Sequence, residues 1–200
     1  MVSKPDPEIV TGLNFLFDQY RRNLAFKNLW KNSSLVPGDG LIDKLGPDLI
    51  IVGEAPGKTE ADRGIPFVGR SGKFLSELLN SINTERKRCY VTNLVKFWPG
   101  EGNPDPTPLE AKTSVSFLRR EIKLVAGECR MIVGLGRFAN QAIFGDELAL
   151  GGQHGKILDL GTGFQLFVSY HPSWGIRGKT NKQVMIRDWD KLREFMEFDV

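Results

Sequence analysis

The chain has 200 residues, of which 40% are hydrophobic and 26% charged, so it reads as about one globular domain and not as a fibre or a disordered tail. Its longest apolar runs, such as Leu49-Ile50-Ile51-Val52, fall far short of the roughly 20 residues a membrane-spanning helix needs. Twenty-seven basic against 24 acidic residues leave a formal charge of +3, which alone selects no partner. Two cysteines, Cys89 and Cys129, are too few for a disulfide scaffold or an all-cysteine metal site. The start, Met1-Val2-Ser3-Lys4-Pro5-Asp6, shows no secretory pattern, and the expectation is a soluble, cytoplasmic, single-domain protein over 1–200.

In chain order, Ile9, Leu13, Leu16, Phe17, Tyr20 and Leu24 recur at helical spacing and predict a helix over 9–30. Residues 37–47, rich in glycine and aspartate, read as loop, so 1–48 form an N-terminal helix and loop ahead of a core over 49–200. Residues 49–52 read as a buried strand stopped by Gly53 and Pro56. A helix over 72–82 carries Phe74, Leu75, Leu78, Leu79 and Ile82 on one face, and 89–92 is the next strand. Thr107-Pro108-Leu109-Glu110 marks a helix start: Thr107 can cap, Pro108 suits the first turn, and Glu110 can return a bond to the cap. Strand 130–133 leads to a helix opening at Gly136, and strand 165–169 leads to His171-Pro172-Ser173. A closing helix spans 184–198. Alternating strands and helices predict an α/β fold, a central mostly parallel four-stranded sheet with helices on both faces.

In such sheets ligands bind beyond the carboxyl ends of the strands. Four groups fall there: Gly53-Glu54-Ala55-Pro56-Gly57, Asn93, residues 134–136, and His171-Pro172-Ser173. Glu54 reads equally as a reactive carboxylate or as a turn-shaping surface residue. Phe67, in Pro66-Phe67-Val68-Gly69, reads as core packing or as a platform for a planar ring. Asn93 offers a donor and an acceptor to a base edge, or caps a turn. His171 reads as a structural histidine or a reactive one, and His154 lies in an unremarkable loop. Arg86-Lys87-Arg88 reads as solvated surface, as do Arg177, Lys179, Lys182 and Arg187, although Trp174 and Ile176 among the latter need an apolar environment.

The combination is more specific than its parts. Val52-Gly53-Glu54-Ala55-Pro56-Gly57, Pro66-Phe67-Val68-Gly69-Arg70-Ser71-Gly72 and Tyr90-Val91-Thr92-Asn93-Leu94-Val95-Lys96 resemble motifs of the uracil-DNA glycosylase superfamily, most closely its family 4. Asp105-Pro106-Thr107-Pro108, Gly134-Leu135-Gly136-Arg137-Phe138-Ala139 and Tyr170-His171-Pro172-Ser173 extend the resemblance, which runs from about Leu49 to Lys191. It implies an enzyme that flips uracil out of DNA and hydrolyses its glycosidic bond. By that resemblance Phe67 stacks on uracil, Asn93 reads its edge, and backbone around Gly53, Glu54 and Ala55 binds the remainder. His171 would donate to the uracil oxygen that gains charge, and Glu54 would be the carboxylate, its role open. The loop after His171 would be the DNA-binding one, through Ser173, Trp174, Gly175, Ile176, Arg177, Lys179 and Lys182.

Two departures shape the expectation. The resembled family holds an iron–sulfur cluster on four cysteines, whereas the corresponding positions here are Phe97 and Ser114, with the first pair near Phe26 and Leu29. No cluster or other metal is expected, and an apolar plug would take its place. A relative captures uracil sites covalently through a histidine in a basic loop, but Phe97-Trp98-Pro99-Gly100-Glu101-Gly102-Asn103 has neither, which favours hydrolytic turnover by a monomer. The alternatives are a silent DNA- or protein-binding module on the same fold and a glycosylase for another deaminated base. A phosphate-binding nucleotidase is weaker, because no P-loop or dinucleotide fingerprint is present.

Overall fold

Four strands are built from residues whose side chains are buried on both faces, the pattern of a parallel sheet covered by helices. In the computed structural model, which describes residues 4–31 and 33–198, these are β2 (Ile50–Gly53), β3 (Tyr90–Asn93), β4 (Met131–Leu135) and β6 (Gln165–Ser169). Two short strands, β1 (Asp39–Gly40) and β5 (Ile157–Asp159), pair antiparallel at the edges and complete a six-stranded sheet in the order β1-β3-β2-β4-β6-β5. The four strands expected from the sequence are the four parallel ones. The edge pair adds two because strands of two and three residues leave no hydrophobic alternation to read. Met1, Val2 and Ser3, part of the start read above, lie outside the described residues.

Register decides where the strand ends meet. Gly53 lies opposite Asn93, Val52 opposite Gly134, and Leu135 opposite Ser169. All four carboxyl ends therefore open on one edge. At β2 the strand order reverses, with β3 on one side and β4 on the other, and that is where α/β sheets form their crevice.

Helices α1 (Pro7–Arg22), α4 (Pro108–Val125) and α5 (Arg137–Phe144) cover the sheet face carrying Ile50, Val52, Ile132, Leu166 and Val168. Helices α3 (Arg70–Ser81) and α8 (Lys179–Phe198) cover the other face, against Ile51, Val91, Val133 and Phe167. Shorter helices α2 (Lys58–Arg63), α6 (Leu150–Gln153) and α7 (Pro172–Gly175) shape the connections. The capping box at α4 forms as the sequence implies, with Thr107 and Glu110 each bonded to the other's backbone amide.

Two helix boundaries differ from the sequence expectation by more than two residues. The helix expected over 9–30 stops at Arg22, because Asn23 turns extended and its side chain accepts the Ala25 amide. Two short 3-10 turns, Leu24–Phe26 and Leu29–Lys31, replace the rest, and Leu24, counted in the apolar stripe, is 73% exposed. At the other end α8 begins at Lys179 instead of 184; its first turn is polar, so hydrophobic spacing does not mark it.

Under α1 and α4 lies an aromatic plug. Tyr20 stacks on Phe26 with centroids 4.1 Å apart, meets Phe117 edge-on at 5.0 Å, and lies 5.8 Å from Phe97. Leu29 belongs to the same buried cluster. Truncating Phe97 to alanine should leave a cavity that cannot collapse among rigid rings, and lower unfolding free energy by about 3–5 kcal/mol in urea titration.

Candidate active site

At the reversal point a cleft of about 350 Å³ opens, lined by Ala55, Pro56, Gly57, Phe67, Asn93, Asn103, His171, Ser173 and Ile176 among others. A groove between α4 and α5 is larger, about 950 Å³, but the smaller cleft carries a buried polar group without a hydrogen-bond partner, one of five such atoms among the described residues. That group is the amide oxygen of Asn93, a residue only 2% exposed. An unsatisfied buried polar atom costs on the order of 1–3 kcal/mol, so its persistence at a cleft suits a ligand that supplies the partner. Gly53 makes the geometry feasible. A Cβ there would stand 2.4 Å from Asn93 Oδ1 and 2.6 Å from Phe67 Cζ, so only glycine lets amide and ring converge.

Phe67 does not pack as an ordinary core residue. Its φ is +53°, a left-handed conformation that a bulky side chain adopts only when its surroundings enforce it. The enforcement comes from charged side chains on both sides. Glu60, on α2, accepts the amides of Val68 at 3.0 Å and Gly69 at 2.7 Å, while Arg86 donates to the Pro66 carbonyl at 2.6 Å. Gly72 closes the strap from below, since a Cβ there would collide with the Phe67 carbonyl at 1.8 Å. Arg86 therefore departs from the solvated-surface reading of its cluster: burial pulls its pKa down, whereas Lys87 and Arg88 stay exposed with Glu85 and Asp48. Neither Glu60 nor Arg86 is legible as functional from sequence, because a lone charge in a polar stretch has no periodicity to betray its burial.

His171 closes the third side, its ring centroid 5.8 Å from that of Phe67. It caps α7: Nδ1 accepts the Ser173 amide at 3.2 Å and lies 2.8 Å from the Ser173 hydroxyl. Burial, helped by Arg177, lowers its pKa to about 4. At neutral pH the ring is thus uncharged, and with Nδ1 acting as acceptor its proton sits on Nε2 as a donor. Asn140 braces the strand ends beside it, donating to the carbonyls of Gly134, Gly136 and Ser169. His154 is also structured: Nδ1 lies 2.6 Å from Asp188, and its ring sits tilted against Tyr170, next to His171, with centroids 4.6 Å apart.

The loop expected to meet DNA divides in two. Trp174 stacks on Tyr170 at 4.1 Å, and Gly175 is buried against Phe74 and Met185. Ile176, 42% exposed, is the apolar side chain left at the cleft rim. Arg177 and Lys179 are exposed, while Lys182 bridges to Glu77 at 2.7 Å. Glu54 is half-buried and does not line the cleft. Burial and Asp105 raise its pKa, and Arg137, paired with Asp105 at 3.1 Å, opposes them.

Positions 26, 29, 97 and 114 do come together, but as the plug around Tyr20, whose hydroxyl lies 3.0 Å from Ser114 Oγ. Three apolar side chains and a hydroxyl offer no thiolate, so they do not fit an iron–sulfur cluster. Cys89 and Cys129 are both buried; burial pushes the Cys89 thiol up to about 12 and raises that of Cys129. Among the described residues no group of three or more His, Cys, Asp or Glu could hold a metal, and no helix is long and apolar enough to cross a membrane.

The reversal point of the sheet thus carries an aromatic ring, an unpartnered buried amide oxygen and a neutral imidazole, a set whose chemistry matches a planar, hydrogen-bonding ligand. The model of the uracil DNA glycosylase superfamily matches residues 40–193. The type-4 uracil-DNA glycosylase of Archaeoglobus fulgidus is 36% identical, covering 81% of this chain and 82% of its own. That of Thermotoga maritima is 31% identical over 82% and 84%, and a type-5 uracil-DNA glycosylase of Mycobacterium bovis is 35% identical over 86% and 69%. The chain belongs to the uracil DNA glycosylase superfamily.

The partly buried His171 sets a pH dependence of stability. Its folded pKa of about 4 lies below the ordinary value of 6.5, so between the two the unfolded chain binds more protons. The contribution is fully present above pH 6.5 and drains away as the pH falls towards 4. Unfolding free energies from urea titration between pH 7.5 and 4.5 should fall more steeply for the natural protein than for His171→Gln, the difference reaching about 3 kcal/mol at most.

Proposed function

We propose that the protein is a uracil-DNA glycosylase of base excision repair, hydrolysing the bond between uracil and deoxyribose to leave an abasic site. The chain is a hydrolase, a DNA N-glycosylase, of the superfamily to which it belongs. The observation that carries the uracil assignment is the buried, unpartnered amide oxygen of Asn93, which converges with Phe67 over Gly53 in the cleft that His171 also lines. An asparagine amide is self-complementary to the carbonyl and imide N–H of uracil.

In this reading the base leaves the DNA stack at a cost of a few kcal/mol, repaid by stacking on Phe67 and by edge hydrogen bonds. Asn93 reads one edge, and backbone around Gly53, Glu54 and Ala55 the other. As the glycosidic bond breaks, its electron pair moves to the uracil ring, and the Nε2–H of neutral His171 donates to the oxygen that gains charge. A neutral donor suits this task, since a low folded pKa keeps it in one protonation state throughout the physiological range. Water adds to the sugar carbon, and the proton it loses ends on the departing uracil anion. Glu54, at the margin of the cleft beside Asp105 and Arg137, is the carboxylate for this step, polarising the water or stabilising the cationic sugar by its charge.

Ile176 fills the gap left by the flipped base, and Trp174 and Gly175 hold its loop from behind. Arg177, Lys179 and Lys182 meet the phosphates, and Ser173 acts chiefly by orienting His171. The protein works without an iron–sulfur cluster or other cofactor, as one domain over 1–200 and as a monomer, inside the cell where DNA is.

The test is excision of uracil from a labelled single-stranded oligonucleotide, scored by alkaline cleavage at abasic sites. The natural protein should cleave, colourless and indifferent to chelators, and His171→Ala should lose about 10²-fold or more in kcat. Absence of cleavage by folded protein that still binds the oligonucleotide would identify a binding module instead. Replacing Ile176 by alanine should weaken excision from duplex DNA by several-fold more than from free single strands, measured as kcat/KM on both.

A further inference from the structure

Behind the cleft, one pair of opposite charges is sealed from water. The side chains of Lys96 and Glu121 are each 1% exposed, with Nζ 2.6 Å from Oε2. The ammonium donates to Thr92 Oγ1 at 2.7 Å and to the backbone carbonyl of Asn93, and forms an ion pair with Glu121. The other oxygen of Glu121 accepts the hydroxyls of Tyr90 at 2.9 Å and Thr92 at 2.8 Å. The backbone amide of Lys96 donates to the Tyr20 hydroxyl at 3.1 Å, which joins the network to Ser114 in the plug. Burial pulls the ammonium's pKa down and Glu121 opposes that.

Such a pair is poor evidence of stabilisation for its own sake, because desolvating two charges offsets most of their attraction and apolar side chains of the same volume often serve as well. What an apolar pair would lack is a grip on backbone. Here the grip falls on the carbonyl of Asn93, the residue whose amide faces the base pocket. The two residues that follow bind the neighbouring strand end, the Leu94 amide to the Gly53 carbonyl and the Val95 amide to the Glu54 carbonyl, both at 2.8 Å. One turn, Asn93 to Lys96, therefore ties both sides of the pocket together.

We propose that Lys96, with Glu121 as its buried counter-ion, is a positioning residue for base recognition: it locks the turn after β3 so that the Asn93 amide points into the cleft. Lys96 touches no substrate, and the assignment rests on the uracil-DNA glycosylase reading above.

Removing Lys96 alone would strand a buried carboxylate, so the informative variant is K96M/E121Q, with Thr92→Val as the milder probe of the same network. Four quantities are compared with the natural protein: melting temperature, affinity for an undamaged oligonucleotide, affinity for one carrying uracil on a non-hydrolysable 2′-fluoro sugar, and kcat with KM for excision. K96M/E121Q should lose about tenfold or more in kcat and in affinity for the fluorinated uracil strand, with undamaged-strand affinity unchanged within about twofold. Thr92→Val should move the same two quantities in the same direction by a smaller factor, and it decides the matter if the double variant does not fold. Full excision by folded K96M/E121Q, or by Thr92→Val where only that variant folds, overturns the assignment. So does an equal loss of affinity for both strands with a lowered melting temperature, the mark of a structural role alone. A natural protein that excises no uracil removes the parent reading and this one with it, whereas normal excision by natural protein and variants removes only this one.

Discussion

The register of the parallel strands is the constraint on which the rest of the molecule depends. Each central strand is buried on both faces, so a one-residue slip would exchange the side chains packed under α1, α4 and α5 for those packed under α3 and α8. With the register held, Gly53 and Asn93 are direct neighbours and Leu135 faces Ser169, two residues before His171. Phe67, Asn93 and His171, between 26 and 104 positions apart in the chain, thereby meet within one cleft. The reversal of strand order at β2 supplies the opening, since the connections from β2 to β3 and from β3 to β4 leave on opposite sides of it.

Charge is used here to hold backbone as well as to contact a ligand. Glu60 takes two amides of the Phe67 strap, Arg86 takes a carbonyl of the same strap, and Lys96 takes the carbonyl of Asn93. A buried charge is tolerated only when its hydrogen-bonding capacity is met, and a backbone group in a turn has no ladder partner of its own. Each pairing gives a turn's backbone group its partner and leaves the ring and the amide on the cleft in one orientation. The same low-polarity surroundings keep His171 neutral, so the burial that makes the pocket also sets the protonation state of its donor.

The plug around Tyr20 belongs to this design. Its rings fill the space between α1 and α4, and Tyr20 spends its hydroxyl on both Ser114 and the amide of Lys96. A packed aromatic cluster with one polar tie is a sufficient way to fix the turn after β3, because rings in contact lose little further entropy on folding and leave no room for water. The departure of this chain from the cysteine pattern of the family it resembles is therefore accompanied by a complete replacement in packing, not by a void.

How much of this was legible in the sequence follows from the kind of interaction involved. The four parallel strands, the α4 cap and the α3 stripe were readable because each rests on local spacing: continuous apolar runs, a Thr-x-x-Glu box, apolar residues every three or four positions. Phe67, Asn93 and His171 could be singled out because they stand in motifs at strand ends, and positions 26, 29, 97 and 114 because a family pattern pointed to them. The break at Asn23, the two edge strands and the inward turn of Trp174 were not readable, since in each a side-chain bond or a tertiary contact overrode local preference. Glu60, Arg86, Lys96 and Glu121 were invisible for a deeper reason. A charged residue looks solvated in any one-dimensional pattern, and only the approach of distant segments removes its water. The sequence by itself determined the order of elements, the edge at which they open and the chemistry offered there; the tertiary structure alone decided which charges are buried, because desolvation is a property of neighbours and not of spacing along the chain.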